Sequence, residues 1–460
     1  MRWNTLPVNP RHLALRVMNS TPIYRALPPS GVKTFAGLRY LSDHGTPQQV
    51  TDFIRRSAGP SRYSSTAVVG AQAALRSGAD DVLEPLLADG LRRFPEDPGL
   101  LCVRAELAAF RGDHATALAD ARRARFAAPS TSRAAALEVR FSYQVEDEAT
   151  SDEVAVGAVR RFPQAAGVLW AAGKECRSPE QYQRLLAIWE AKVPEPRDLT
   201  GAVRQLGTAA GRAGLTDEAI GWYERAMRQL LDGSASPPPV RDAQLAGKGA
   251  WKAIVDLVEL FDGADIPYFF AAGTALGLVR EGRPLSADGD IDVGVFDEDY
   301  DFDQLRELFR AHPGFDFDVV HPSTKKLGLR HRGGSPVDIF RFYEDDGRLW
   351  HDAVFVRWTN SPFTIDRLEV GGISAPIPAD RERYLVENYG ESWRVPASGF
   401  DAFTDDAPNV EPTWPAYLDL HLVRRAYKRL TAGDMVAAAR DLHAAGREEF
   451  AREVEGAGRA

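Results

Sequence analysis

Hydrophobic and polar positions follow different periods in different parts of the chain. From about 50 to 231, apolar residues recur at helical spacing in segments rich in Ala, Leu and Arg, which predicts a stack of helices. From 241 to 415, helical segments are mixed with short apolar runs, which predicts an α/β or α+β domain with a mixed sheet. Residues 416–460 return to helical spacing. Between the first two parts, 232–240 has the turn and polyproline residues of a linker.

The helical part contains an internal repeat. Arg92-Arg-Phe-Pro95 recurs as Arg160-Arg-Phe-Pro163, and Pro129 lies midway, so the three prolines are spaced by 34 residues. This is the period of helix-turn-helix repeats, and each proline is expected to follow the second helix of a unit because a helix interior cannot hold it. The segment 50–231 resembles degenerate tetratricopeptide repeats. Such stacks bind a protein partner, self-associate or only support a neighbouring domain, and the pattern leaves these open.

The segment 268–295 predicts a strand, a Gly-Thr turn, a short helix and a second strand with alternating acidic and apolar residues. Successive side chains of a strand point to opposite faces, so Asp288, Asp290 and Asp292 are predicted to share one face. Carboxylates placed two residues apart are about 6–7 Å from each other and repel unless a cation lies between them. Oxygen ligands suit Mg²⁺ or Mn²⁺. The sequence therefore predicts a metal site formed by the three acids.

Two alternatives fit the same acids less well. Asp288-x-Asp-x-Asp292 matches the first five positions of a calcium-binding loop, but Val293 replaces the required Gly and Asp299 replaces the final Glu. A solvated edge strand would also carry acids outwards, although three acids flanked by Ile and Val are unusual for such a strand. A metal-binding strand agrees best with the alternation.

Polar residues near the acids are further candidates. Asp338 interrupts the apolar run from Ser335 to Phe340, and burying its carboxylate is costly without a metal, a basic group or a proton to accept. A strand-end Asp paired with an arginine is the alternative. Gly273 and Thr274 precede a predicted helix, where N–H groups and a hydroxyl suit a phosphate. The same pair also suits a simple turn and cap.

Basic residues lie together on another predicted strand, which runs from Lys326 to Arg332. Lys326 and Arg330 share one face with Arg332 and would suit a diphosphate or an anionic acceptor chain. A solvated basic strand edge is the alternative.

Composition restricts the class of protein. The 460 residues, 44% hydrophobic and 26% charged, indicate an ordinary globular protein of two or three domains, and the net charge of −9 argues against bulk nucleic-acid binding. Because no apolar run approaches about 18 residues and no secretion signal is evident, we expect a cytoplasmic protein. The basic arm, 1–49, suggests at most peripheral contact with the inner face of the membrane. Cys102 and Cys176 are predicted to be buried thiols.

The ordered motifs of the second half resemble those of the LicD and fukutin families. The resemblance covers about 248–415 and implies the fold of the nucleotidyltransferase superfamily, which DNA polymerase β shares. This sequence departs from the pattern at Leu285-Ser-Ala287, where LicD proteins often have an aromatic element, and at Gly289, which interrupts the acidic run. The matching motifs are Ala272-Gly-Thr274, Gly277, Arg280, Gly282, Asp288-Gly-Asp-Ile-Asp292, Val337-Asp-Ile-Phe340, Tyr384-Leu385, Asn388-Tyr-Gly390, Trp393, Pro396, Pro408-Asn-Val410 and Trp414-Pro415.

The resemblance implies a phosphotransferase that moves a phospho-alcohol from a CDP-activated donor to a cell-surface or capsular glycan. Ribitol phosphate, glycerol phosphate and phosphocholine are units of this kind. One alternative is a nucleotidyltransferase that moves a nucleotide from a nucleoside triphosphate to a protein or small molecule. Another is a binding scaffold in which the repeat acts and the second domain is inactive.

The resemblance also implies roles for individual residues. Asp290 and Asp292 would hold Mg²⁺ or Mn²⁺ on the donor diphosphate, with Asp288 supporting them or sharing a second ion. Asp338 would accept the proton of the acceptor hydroxyl. The residues expected to bind the phosphates are Gly273, Thr274 and Arg280.

Overall fold

The computed structural model describes most of the chain from residue 31 onwards. The predicted arm 1–49 lies outside it up to residue 30, and the predicted linker 232–240 is described as far as residue 237. Asp299, on which the calcium-loop alternative depends, also lies outside. No helix in the described residues is long and apolar enough to cross a membrane. The described ranges are 31–44, 46–57, 63–193, 199–237, 247–285, 288–298, 301–317, 326–397, 399–404 and 406–458.

Twelve helices lie between residues 31 and 231 in the described ranges. They are α1 (Gly31–His44), α2 (Pro47–Arg56), α3 (Ser64–Ser77), α4 (Asp80–Arg93), α5 (Pro98–Phe110), α6 (His114–Ala127), α7 (Ser132–Val145), α8 (Glu148–Arg161), α9 (Ala166–Lys174), α10 (Pro179–Lys192), α11 (Val203–Arg212) and α12 (Thr216–Leu231). The first helices of four successive pairs, α3, α5, α7 and α9, begin 34 residues apart.

Local sequence sets the ends of these helices. Helices α4, α6 and α8 each end two residues before Pro95, Pro129 and Pro163. Asp113 and Asp147, also 34 residues apart, cap α6 and α8 by accepting N–H groups at 3.0 and 2.9 Å. The 34-residue sequence repeat is therefore a repeat of helix pairs.

A mixed sheet forms the centre of the second half, which confirms the predicted mixture of parallel and antiparallel strands. Strands β1, β2, β5, β6, β7 and β10 are neighbours in that order, and β4 pairs with the first part of β5 and with β3. Only β2 and β5 pair in parallel among the described strands. Strands β8 and β9 form a separate two-stranded antiparallel sheet. The strands are β1 (Phe269–Phe270), β2 (Ile291–Phe296), β3 (Phe315–Phe317), β4 (Lys326–His331), β5 (Pro336–Asp345), β6 (Arg348–Asp352), β7 (Val356–Asn360), β8 (Ile365–Val370), β9 (Ile373–Pro378) and β10 (Val410–Pro412).

The two faces of β2 and β5 have different surroundings. Val293 and Ile339 are fully buried in a core that includes Leu257 and Phe261 of α13 (Gly247–Gly263). Alternation places Asp292 and Asp338 on the opposite face. The other helices around the sheet are α14 (Ala272–Glu281), α15 (Phe302–Ala311) and α16 (Arg381–Tyr389).

The predicted strand with alternating acids is wrong in its first residue. Asp288 and Asp290 precede β2 rather than lying in it, and the Gly289 N–H donates to the Asp288 carboxylate at 3.0 Å, as in a turn. The segment from His351 to Val356 contains the end of β6, a turn and the start of β7.

The last helices pack on the helical stack. They are α17 (Pro415–Thr431), α18 (Met435–Ala444) and α19 (Glu448–Ala457). Leu420 and Val423 of α17 share a core with Met227 of α12, and the rings of Tyr427 and Tyr223 lie 5.6 Å apart. The helices that follow the sheet domain in the sequence therefore pack on the helical stack that precedes it.

Candidate active site

Four carboxylates meet at one wall of a large cavity. Asp292 and Asp338 are paired residues on the parallel strands β2 and β5, and Asp288 and Asp290 precede β2. All four line a cavity of about 1080 Å³, together with Lys326 of β4. The fold therefore brings Asp338 to the three acids that the sequence predicted as a group.

Gly273 makes room for one of these acids. It lies in the first turn of α14, and a Cβ atom at this position would overlap the Asp288 carboxylate. Gly294 is also required for space, because a Cβ atom there would overlap the Phe269 ring. The small residues of the motif thus allow close packing around the acids.

Thr274 holds the site together from outside the cavity. Its side chain is buried, and its hydroxyl accepts the Asp292 N–H at 2.9 Å. It does not line the cavity. The structure therefore does not support the predicted contact of Thr274 with a phosphate. The hydroxyl of Thr274 instead joins α14 to β2.

The start of α14 is strained. Ala272 has φ of 41°, in the left-handed region that a residue with Cβ rarely adopts. Its N–H donates to the Tyr384 hydroxyl at 3.0 Å, and the neighbouring Ala271 N–H donates to the Asp292 carbonyl at 3.0 Å. These bonds fix the chain where it enters the cavity wall.

The acids repel one another in a buried place. Burial raises the pKa of Asp288, Asp290 and Asp292, and repulsion from the neighbouring carboxylates raises the pKa of Asp290 and Asp292 further. Burial alone would lower the pKa of Lys326, but its partner Asp338 and the other acids hold that pKa above its ordinary value. The ammonium group therefore stays charged and offsets part of the negative charge.

The residues suit a hard divalent cation in their chemistry. Asp288 Oδ2 is buried without a hydrogen-bond partner in the described residues, and crowded carboxylates are the ligands that Mg²⁺ and Mn²⁺ prefer. In the same residues, however, no three His, Cys, Asp or Glu side chains converge as a ready-made metal site. One of the four carboxylates, that of Asp338, is instead paired with the Lys326 ammonium group.

Of the other two basic residues predicted for the site, only one lines the cavity. Arg280 lines the cavity, where it donates to the Trp393 carbonyl at 3.0 Å. Arg330 does not line it, and its guanidinium lies 5.8 Å from the centre of the Phe110 ring on α5. Lys326 and Arg330 thus have different neighbours at the two ends of β4, and only Lys326 lines the cavity.

This part of the chain is similar to known proteins. The sequence model of the family described as "LicD/FKTN/FKRP, nucleotidyltransferase domain" matches residues 265–380. The chain contains a LicD/fukutin-like domain. The matched region includes all four acids, Gly273 and Lys326.

Three relatives of known description carry the name "Ribitol-5-phosphate transferase FKTN". The one from Mus musculus is 27% identical over 184 residues, which are 38% of this chain and 40% of the relative. The one from Macaca fascicularis is 25% identical over 163 residues, and the one from Homo sapiens is 24% identical over 163 residues. These last two alignments each cover 33% of this chain and 34% of the relative. The chain thus spans about two fifths or less of the length of these relatives.

An aromatic floor extends the cavity of the LicD/fukutin-like domain beyond the acids. Phe340, His351 and Trp358 line it on β5, β6 and β7. The His351 ring stacks between Phe342, at 4.2 Å, and Trp358, at 4.9 Å, and its Nδ1 has no described hydrogen-bond partner. Burial lowers the pKa of His351 to about 3, so the imidazole is neutral at pH 7.

Sequence reasoning missed much of this cavity. The motif residues Tyr389 and Trp393 were carried over without a role, and they line the cavity beside the acids. Nothing in the sequence marked His351 or Trp358, because their approach depends on strand pairing. The opposite wall comes from α17 and α18, outside the matched region.

Proposed function

We propose that this chain is a metal-dependent phosphotransferase that moves a phospho-polyol, such as ribitol phosphate, from a CDP-activated donor to a glycan. The observation that carries the proposal is the group of four carboxylates with Lys326 on one cavity wall, where Asp292 is buried and the other three are half-buried. It occurs in a domain similar to proteins named ribitol-5-phosphate transferases.

The acids nearest to α14 would bind the donor end. Asp290 and Asp292, supported by Asp288, would hold Mg²⁺ or Mn²⁺, which supplies charge neutralisation for the donor diphosphate and the leaving nucleotide. Arg280 and the backbone at Gly273 border the same place. Thr274 would act indirectly, through its bond to the Asp292 backbone.

Asp338 would serve the acceptor. A sugar hydroxyl is a poor nucleophile at neutral pH, and Asp338 would accept its proton as the oxygen attacks the polyol-bearing phosphorus. The new bond joins the acceptor oxygen to that phosphorus, and the bond between that phosphorus and the CMP oxygen breaks. Lys326 positions the Asp338 carboxylate through their ion pair.

Product analysis tests the proposal. With CDP-ribitol, Mg²⁺ and a glycan acceptor, we expect CMP release, and Asp290→Asn should slow it by at least about 100-fold. The control is Asp346→Asn, because Asp346 lies in an exposed turn with φ of 48°, which asparagine tolerates. Pyrophosphate release from a nucleoside triphosphate would instead indicate nucleotide transfer, and equal CMP release by both variants would refute the assigned site.

A further inference from the structure

We propose that the same cavity contains a second subsite, on the wall formed by α17 and α18, that binds a phosphate group of the acceptor. This inference rests on the proposed function and specifies its acceptor. The cavity volume of about 1080 Å³ is at the upper limit of the roughly 300–1,000 Å³ that one small ligand usually occupies. The cavity therefore has room for part of a second substrate beside the donor.

One face of α17 points into the cavity. Its lining residues, Leu418, Leu422, Arg425 and Arg429, follow the spacing of a single helical face. The opposite face packs on the helical stack. Arg440 of α18 lines the cavity next to this face. The helical stack thus holds a basic wall opposite the sheet.

Two of the arginines share one buried carboxylate. Asp441, which is 1% exposed, accepts from Arg425 at 2.7 Å and from Arg429 at 2.8 Å. Arg425 also donates to Asp401 at 2.7 Å. These bonds fix both guanidinium groups at the wall, but they use only one nitrogen of Arg429, Nη1.

Arg440 is the uncompensated charge of this wall. Its side chain is exposed, and no hydrogen bond or ion pair joins it to any other described residue. Asp406 also lines this part of the cavity, where it accepts the Asp401 N–H at 3.1 Å. The planar guanidinium of Arg440 and the remaining N–H groups of Arg429 match the geometry of a phosphate.

Distance assigns this phosphate to the acceptor rather than the donor. From Asp338 on β5, the cavity floor crosses His351 on β6 and Trp358 on β7 before it reaches α17. Neighbouring strands lie about 4.8 Å apart, so the basic wall is roughly 10 Å or more from the acids. A diphosphate held at the acids does not span that distance. The wall also lies outside the matched residues 265–380.

Binding of ribitol 5-phosphate, measured by isothermal titration, tests the inference with neutral ribitol as the comparison. EDTA is present throughout, so that metal-dependent binding at the acids is removed. We expect the wild-type chain to prefer ribitol 5-phosphate, and Arg440→Glu to weaken its binding about tenfold or more. Arg440→Lys should retain part of the affinity, because the charge stays while the fork is lost.

Two controls separate this inference from the proposed function. Arg452→Glu changes an exposed arginine of α19 that does not line the cavity, and it should leave binding unchanged. Asp290→Asn should also leave the binding of ribitol 5-phosphate unchanged, even though that variant is expected to slow CMP release. The inference is overturned if the wild type does not prefer the phosphate, or if Asp290→Asn weakens binding and Arg440→Glu does not. Absence of CMP release alone would refute only the phosphotransferase.

Discussion

At the scale of single residues, Gly273 shows how a backbone position serves the site. It lies in a helix with an ordinary negative φ, where alanine is normally the better residue by up to about 1 kcal/mol. Its function is the space that the Asp288 carboxylate occupies. A side chain at this position must displace the acid.

Gly273→Ala should therefore separate activity from stability. We expect CMP release to fall at least about tenfold, because Asp288 moves, while the melting temperature changes little or rises. Gly157→Ala is the matched control, because Gly157 lies in α8 with open space around its Cβ position. That control should keep full activity, and equal activity in both variants would contradict the role given to Gly273.

His351 gives a prediction about pH. Its pKa is about 3 in the folded chain against 6.5 when exposed, so the unfolded chain binds the proton first. Its contribution to stability is fully present above pH 6.5 and is lost as the pH falls towards 3. His351→Phe preserves the ring stack and removes the titration. Between pH 7 and pH 5, the wild type should lose about 2 kcal/mol more stability than this variant in urea unfolding.

The contributions of the other titrating groups cancel in the difference between the two unfolding free energies, because both proteins contain these groups. Parallel pH profiles of the two unfolding free energies would mean that the imidazole has the same pKa in the folded and the unfolded chain. A steeper profile in the variant would contradict the sign.

At the scale of elements, the ends of several helices were predictable, because residues close in the sequence determine them. The prolines gave the ends of α4, α6 and α8, because no helix interior accommodates them. The acids were found as a group, although Asp288 and Asp290 were placed in a strand that begins only at Ile291. Alternation of polar and apolar residues continues through a turn that leads into a strand, so it does not fix where the strand starts.

Contacts that depend on the pairing of distant strands were not predictable from the sequence. Asp292 and Asp338 are 46 residues apart in the chain and paired in register on β2 and β5. The residue pattern pointed to both as site residues, but not to their pairing or to the contact of Asp338 with Lys326. For Arg330, the sequence predicted the strand face but not the neighbour, because the guanidinium lies over the Phe110 ring of the helical stack.

At the scale of the whole molecule, the helical stack is bound to the sheet by buried charges. Asp316 of β3, which is 4% exposed, pairs with Arg140 of α7 and lies 3.2 Å from His114 of α6. Arg332 adds a contact of 2.6 Å with Asp80 of α4. One face of the stack is thus occupied by the chain's own sheet, which favours support of the neighbouring domain among the roles considered for the repeat.

Asp316→Ala tests this support. Removing the carboxylate leaves Arg140 mostly buried without its partner, and such a change typically costs about 3–5 kcal/mol. We expect a lower melting temperature in calorimetry and faster proteolysis between the stack and the sheet. Asp303→Ala is the control, because its side chain pairs with Arg306 at the surface and should cost less than about 1 kcal/mol. If Asp316→Ala melts like this control, the stack does not depend on the buried pair for its attachment.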